Sequence, residues 1–401
     1  MPTGLNRRDL LLTASVAAAA AGPGPLLAQN APVESTAKTQ ANASGVPNND
    51  KKINIVTLRD LESEAQKVMA PFGFAYVSGG AGDEWTMREN MTAFNRWVIN
   101  PDFMNGTGSA DTTTTLLGAK LSHPVITAPV GNQASVHAQA DMPNVKGTEA
   151  AGSLYCVSSV TQISCEDLAA VSDKPKWFQL YIPRDRGFAQ EMLQRVKAAG
   201  YKALIVTADV NVTSNRERSM RLQGAALPNL RMGNVPKTSG SRGNAMDMKG
   251  NMSWSDIEFC GKESGLPVVI KSILSPANAK QALATGCSAI WLSNHGGRQL
   301  DNSPAAVTTL PHVAAAVEGR VPIIIDGGIF RGQDVFRALA LGATAVAIGR
   351  PALYGSALGG AQGVEAVHTH LKNELAMVMR LAGTPTIKSI TRDFVARTEA
   401  G

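Results

Sequence analysis

The sequence is short of charge and of cysteine. Only 17% of its 401 residues are Asp, Glu, Lys or Arg, and their balance is a modest net +6. No cluster of Lys and Arg concentrates that excess, which argues against a nucleic-acid partner. A mild positive balance suits an anionic small molecule instead. Of the four cysteines, Cys156, Cys165, Cys260 and Cys287, no two form a CxxC pair. No spacing argues for a disulfide, and each reads as a small buried hydrophobe. Among the six histidines, His368 and His370 would point roughly 200° apart on a helix, a poor metal pair, and no metal site is indicated. No G-x-G-x-x-G follows the first apolar run, which disfavours a doubly wound open sheet. Beyond the N-terminus, no stretch is apolar enough to cross a membrane.

Residues 1–28 read as a targeting segment. Arg7 and Arg8 precede an apolar run from Leu10 to Ala21, Pro23 and Pro25 break it, and Leu26-Leu27-Ala28 offers a cleavage site. The arginine pair resembles a twin-arginine signal, so export, to a periplasm or beyond, is expected. Replacing Arg7 and Arg8 with Lys should hold the precursor in the cytoplasm, and unchanged export would point to a Sec signal instead. Residues 29–52 are polar and lack any apolar period, and they read as a disordered linker. Residues 53–401 then form one domain.

From about residue 120, short apolar runs recur: PVITAPVG (124–131), SLYCVSS (153–159), KWFQLYI (176–182), ALIVTAD (203–209), PVVIKSI (267–273), AIWLSN (289–294), VPIIIDGG (321–328) and AVAIGRP (345–351). Continuous rather than alternating apolar runs suit parallel strands covered on both faces. Stretches between them, such as FAQEMLQRVKAAG and QDVFRALALGA, carry helical spacing and a terminal glycine. Eight strand–helix units predict an α/β fold, a (β/α)8 TIM barrel. Residues 53–119 are expected to add helices and a small cap. The connection between Asp209 and Pro267 is far longer than the others and reads as a lid or a disordered segment.

The run ends carry the chemistry. They present Gln179 and Tyr181, Thr207 and Asp209, Lys271, Ser293 with His295 and Arg298, Asp326 with Gly327-Gly328, and Gly349-Arg350. Barrel active sites are built at the C-terminal ends of strands, and a charge there is costly unless paired or functional. Gly327-Gly328 and Gly349-Arg350, after the seventh and eighth runs, would let backbone N–H groups approach a phosphate.

SNHGGRQLD (293–301), DGGIFRGQDVFRALALGATAVAIGRP (326–351), YVSGGAGDEWTMREN (76–90), FQLYIPRDR (178–186), TADVNVTSNRER (207–218), LPVVIKSI (266–273) and the ALGG segment (357–360) resemble the FMN-dependent 2-hydroxy acid oxidase and dehydrogenase family, its lactate oxidases in particular. The resemblance runs from about Leu58 to Ile390. It implies non-covalent FMN, a small 2-hydroxy acid substrate, oxygen, a quinone or a cytochrome as electron acceptor, and a homo-oligomer, a tetramer in relatives. It further implies that His295 is the catalytic base and that Asp209 orients it. Arg298 and Arg216 would clamp the substrate carboxylate, and Tyr76 and Tyr181 would bond substrate oxygens. Lys271 would stand beside the flavin. Pro129, Val130, Gly131, Ser158, Gln179, Thr207, Ser293, Asp326, Gly328, Arg331, Gly349 and Arg350 match FMN contacts.

Three residues depart from the family pattern. Phe330 replaces an arginine, which leaves Arg331 to serve the phosphate and predicts a looser hold on FMN. Val160 stands where relatives often carry Trp or Tyr. Gly131 replaces an alanine and matches the lactate monooxygenase branch. Both of the latter changes predict extra room near the substrate. The competing functions are an oxidative decarboxylase of the monooxygenase type and a non-catalytic, exported flavin- or ligand-binding barrel. The base, its carboxylate, the arginines and Lys271 argue against the second, because binding alone needs no base.

Overall fold

The computed structural model describes residues 45–222, 232–235 and 247–398. Each of the eight apolar runs holds one strand: β1 (Val125–Thr127), β2 (Tyr155–Ser158), β3 (Lys176–Leu180), β4 (Ala203–Thr207), β5 (Val268–Lys271), β6 (Ala289–Leu292), β7 (Ile323–Asp326) and β8 (Ala345–Ile348). Every strand pairs in parallel with the next, and β8 pairs with β1 through Val346↔Val125, so the sheet closes into a (β/α)8 barrel.

The pleat sorts the strand residues into two cores. Ile126, Cys156, Trp177, Ile205, Val269, Trp291, Ile324 and Ala347 pack inside the barrel. Their neighbours Val125, Val157, Phe178, Leu204, Ile270, Ile290, Ile325 and Val346 face the surrounding helices. Both sets are buried, which is why the runs are continuously apolar. All four cysteines are buried and unpaired, as their spacing suggested, and burial raises their thiol pKa values.

The segment before the barrel supplies helices Leu61–Val68, Pro71–Ser78 and Trp85–Thr92, then a hairpin of Thr114–Leu116 with Ala119–Leu121. Leu116 and Leu121 of that hairpin join the interior cluster and plug the end of the barrel where the strands begin.

Two expectations need correction. The expected leader and most of the linker lie outside the described residues, but residues 45–52 are docked rather than free. Helix Arg350–Ala382 leaves helical geometry at Gly359 and Gly360 (φ 57° at the latter). Lys51 N–H donates to Gly359 O (3.2 Å) and Asn49 Nδ2 to Ala357 O (3.1 Å) at that break. A Cβ at Gly359 would lie 2.4 Å from Lys51 O, so the ALGG glycines make room for this strap. The long connection after β4 is also not one loop. Its end is helix Trp254–Ser264, started by a Ser253/Asp256 capping box.

Candidate active site

The strand period that builds the core also builds the site. Two residues beyond the last apolar inward position, the same side of each strand presents Ser158, Gln179, Thr207, Lys271, Ser293 and Asp326. Buried polar groups are tolerable only when bonded, and these are bonded to one another. Ser158 Oγ donates to Gln179 Oε1 (3.1 Å), and Gln179 Nε2 donates to Thr207 Oγ1 (3.0 Å). Lys271 Nζ donates to Ser293 Oγ (2.8 Å), which donates to Asp326 Oδ1 (2.7 Å). Trp291 Nε1 completes the set on Asp326 Oδ2 (2.9 Å).

Above this polar floor opens a cavity whose wall includes Tyr76, Tyr181, Arg216, His295 and Arg298. His295 Nδ1 lies 3.1 Å from Asp209 Oδ1, and Nε2 lies 3.4 Å from the Tyr181 hydroxyl. Desolvation holds the His295 pKa below the ordinary imidazole value, with Asp209 opposing and Lys271 and Arg216 assisting. Desolvation alone would raise Asp209, but the adjacent imidazole and Lys271 pull it down to about 2. The pair is thus a neutral imidazole backed by a carboxylate, with Nε2 available to accept a proton.

The loop that carries His295 is held in a left-handed path through His295, Gly296 and Gly297 (φ 60°, 65° and 74°). Such a φ is unfavourable for histidine and needs support from its surroundings. Ser293 Oγ accepts from the His295 N–H (3.0 Å). Helix Trp85–Thr92 seals the loop from outside. Its first free N–H groups, on Trp85 and Thr86, donate to Asp301 of the loop (3.3 and 2.8 Å), and the side-chain amides of Asn90 and Asn294 pair. The GDEWTMREN motif therefore contributes a brace to the site.

Arg298 donates through Nη1 to Tyr76 O (2.5 Å) and Gly79 O (2.8 Å), and its guanidinium lies over the Tyr76 ring. Desolvation and the nearby Arg216 push its pKa down to about 10, so it stays cationic at neutral pH. Arg216 donates to Arg298 O (3.0 Å) and Gln299 Oε1 (2.7 Å), while Gln299 Nε2 donates to Asp209 O (2.8 Å). One scaffold thus fixes both arginines and the carboxylate behind the imidazole. The Tyr76 hydroxyl donates to Gly131 O (3.2 Å).

At the other end, Gly327, Gly328, Gly349 and Arg350 line the cavity where helix Arg350–Ala382 begins. Backbone N–H groups and a helix N-terminus there make a ready anion site.

A model of the FMN-dependent dehydrogenase family matches residues 65–397. The chain belongs to that family. This FMN-dependent oxidoreductase is 39% identical over 350 residues to an L-lactate oxidase of Lentilactobacillus hilgardii, covering 85% of this chain and 94% of the relative. It is 35% identical over 353 residues to a peroxisomal (S)-2-hydroxyacid oxidase of Arabidopsis thaliana, covering 86% and 97%. Among solved structures, the lactate oxidase of Pediococcus acidilactici has a TM-score of 0.84 at 38% identity, covering 88% of this chain and 98% of that one. A mandelate oxidase structure has a TM-score of 0.79 at 32% identity, covering 86% and 99%.

FMN fits the flavoenzyme's donor set. Glycines, a helix N-terminus and Arg350 at one end suit a phosphate, and the Lys271 and Gln179 floor suits the polar edge of a flavin ring. Pro129, Val130 and Gly131 line the same cavity.

Arg331 is a correction. It does not line the cavity. Its Nη1 donates to Glu374 Oε1 (2.8 Å), between helices Gly332–Ala340 and Arg350–Ala382. The side chain leaves the loop toward the helical layer, while Phe330, one residue earlier, lines the cavity.

Gly131 is a second correction. A Cβ there would lie 2.8 Å from Val160 O and 2.9 Å from Val160 Cβ, so Val160 already fills the missing methyl's place. Only the short Val160 side chain leaves added room. Val160→Trp should shift kcat/KM among glycolate, lactate, 2-hydroxybutyrate and mandelate toward the smaller acids. Each buried CH2 of a longer substrate is worth about 0.8 kcal/mol, and an unchanged ranking would remove Val160 from the specificity pocket. Val210, Thr213 and Met248 also line the cavity and were missed in the sequence. Met248 reaches it because Arg184 N–H donates to Asp247 O and Lys249 N–H to Ile182 O, pairings that no local pattern announces.

Proposed function

We propose that this flavoenzyme oxidises a small (S)-2-hydroxy acid of lactate size or somewhat larger to the 2-oxo acid, with oxygen as electron acceptor. The observation that carries this reading is one cavity wall on which a neutral, carboxylate-backed imidazole faces two guanidinium groups. The arginines hold the substrate carboxylate, because a planar guanidinium matches it bidentately. Tyr76 and Tyr181 hold the hydroxyl and carboxyl oxygens, and Met248 and Val160 line the same cavity. The reaction removes two electrons and two protons across the Cα–O bond. His295 Nε2 accepts one proton, and Asp209 stabilises the resulting imidazolium. FMN, when bound, would accept the two electrons together with the second proton, and Lys271 offers a fixed positive charge that would favour its anionic reduced form. The lactate and 2-hydroxyacid oxidases among the relatives support the substrate class and the acceptor.

Anaerobic addition of L-lactate to the yellow protein should bleach the flavin absorbance. Readmitted oxygen should restore it with one hydrogen peroxide per 2-oxo acid. Failure to bleach with any 2-hydroxy acid would leave a binding protein, and acetate with CO2 as product would identify the decarboxylating monooxygenase.

A further inference from the structure

The phosphate end of the cavity is short of free positive charge. A phosphate monoester carries about −1.5 to −2 charges at pH 7. Arg350 is the cation on the lining there, but Nε, Nη1 and Nη2 all donate to backbone carbonyls, those of Val77 (3.0 Å), Gly296 (2.8 Å) and Gly79 (3.0 Å). Glu62 and Glu84 lie close enough to act on it, with Arg218 as a further cation. Arg331 is paired with Glu374, and Lys271 is bonded into the floor. Phe330, at the rim after Gly327-Gly328, brings no charge.

A different element brings a cation against Phe330 from outside the cavity lining. The guanidinium carbon of Arg59 stands 5.8 Å from the centroid of the Phe330 ring. Arg59 lies in the turn Leu58–Asp60, which is capped by the Thr57 side chain and anchored by the fully buried Leu58. Among the described residues, no carboxylate pairs with the Arg59 guanidinium. A guanidinium stacked on an aromatic face keeps its N–H edge free for an anion, and the stacking limits the rotamers it must give up on binding.

We propose that Arg59 is a phosphate-binding residue for FMN, steered by the Phe330 ring, and that the second cation of the phosphate site comes from the turn before the first helix. The pair Arg59 and Phe330 then replaces an arginine at position 330, and the looser hold on FMN expected from Phe330 alone does not follow. The inference rests on the phosphate lying at the Gly327-Gly328 and Gly349-Arg350 end.

The test follows FMN release from holoenzyme by recovery of free-flavin fluorescence on dilution, and rebinding of FMN and of riboflavin, which lacks the phosphate. Arg59→Gln should weaken FMN binding about 10- to 100-fold, the scale of one hydrogen-bonded charge lost. It should leave riboflavin affinity within about twofold of the parent. Adding Phe330→Arg to Arg59→Gln should restore FMN affinity. Unchanged FMN affinity in Arg59→Gln, or an equal loss for FMN and riboflavin, would overturn the assignment. A parent that binds FMN and riboflavin equally would overturn it at its base, because no phosphate site would then exist at this end.

Discussion

His295→Asn should leave FMN bound and remove most turnover, by about 10²–10⁴-fold or more, the usual contribution of a positioned general base. Asparagine approximates the ring's size but cannot accept the proton, and it breaks the 3.1 Å contact to Asp209. The floor that receives the flavin, from Lys271 to Asp326, does not pass through the imidazole, so the absorption spectrum should persist. In the parent, kcat/KM should fall as pH drops through the His295 pKa, which desolvation places below the usual imidazole value. Below that pKa the ring is already protonated and cannot accept. Asp209, held at about 2, stays ionised across this limb, so one proton governs it. Stopped-flow flavin reduction measures both effects. Reduction of the Asn variant at the parental rate, or an acid limb that survives the substitution, would assign the base elsewhere.

Arg298→Lys should act mainly on substrate affinity, with a loss of about 10²-fold in kcat/KM, the scale of an impaired buried charge contact. Lysine keeps the charge but presents a point instead of a fork. It also gives up the paired donation to Tyr76 O and Gly79 O, which fixes the end of helix Pro71–Ser78 beside the cavity. KM for a 2-hydroxy acid should rise far more than kcat falls. An unchanged KM would show that Arg216 alone holds the carboxylate.

The two arginines differ in how readily the sequence shows them. Arg298 lies three residues after His295 in a motif that follows a strand, and strand ends collect the functional groups of a barrel. Arg216 lies in the irregular segment after β4, and its place beside Arg298 depends on Gln299 and Ser214, contacts made across more than eighty residues with the former. Its role is readable only through resemblance to known sequences.

What the sequence determined by itself is what repeats locally. A strand turns its side chains over every two residues, so apolar runs marked the eight strands, and the inward parity carried on past each apolar layer to Ser158, Gln179, Thr207, Lys271, Ser293 and Asp326. The tertiary structure alone decided where loop residues point. It turned Arg331 away toward Glu374, filled the space at Gly131 with Val160, docked residues 45–52 in the break of a helix, and brought Arg59 over Phe330. The reason is physical. A strand's geometry fixes side-chain direction within two residues, whereas a loop residue takes its direction from partners tens to hundreds of positions away.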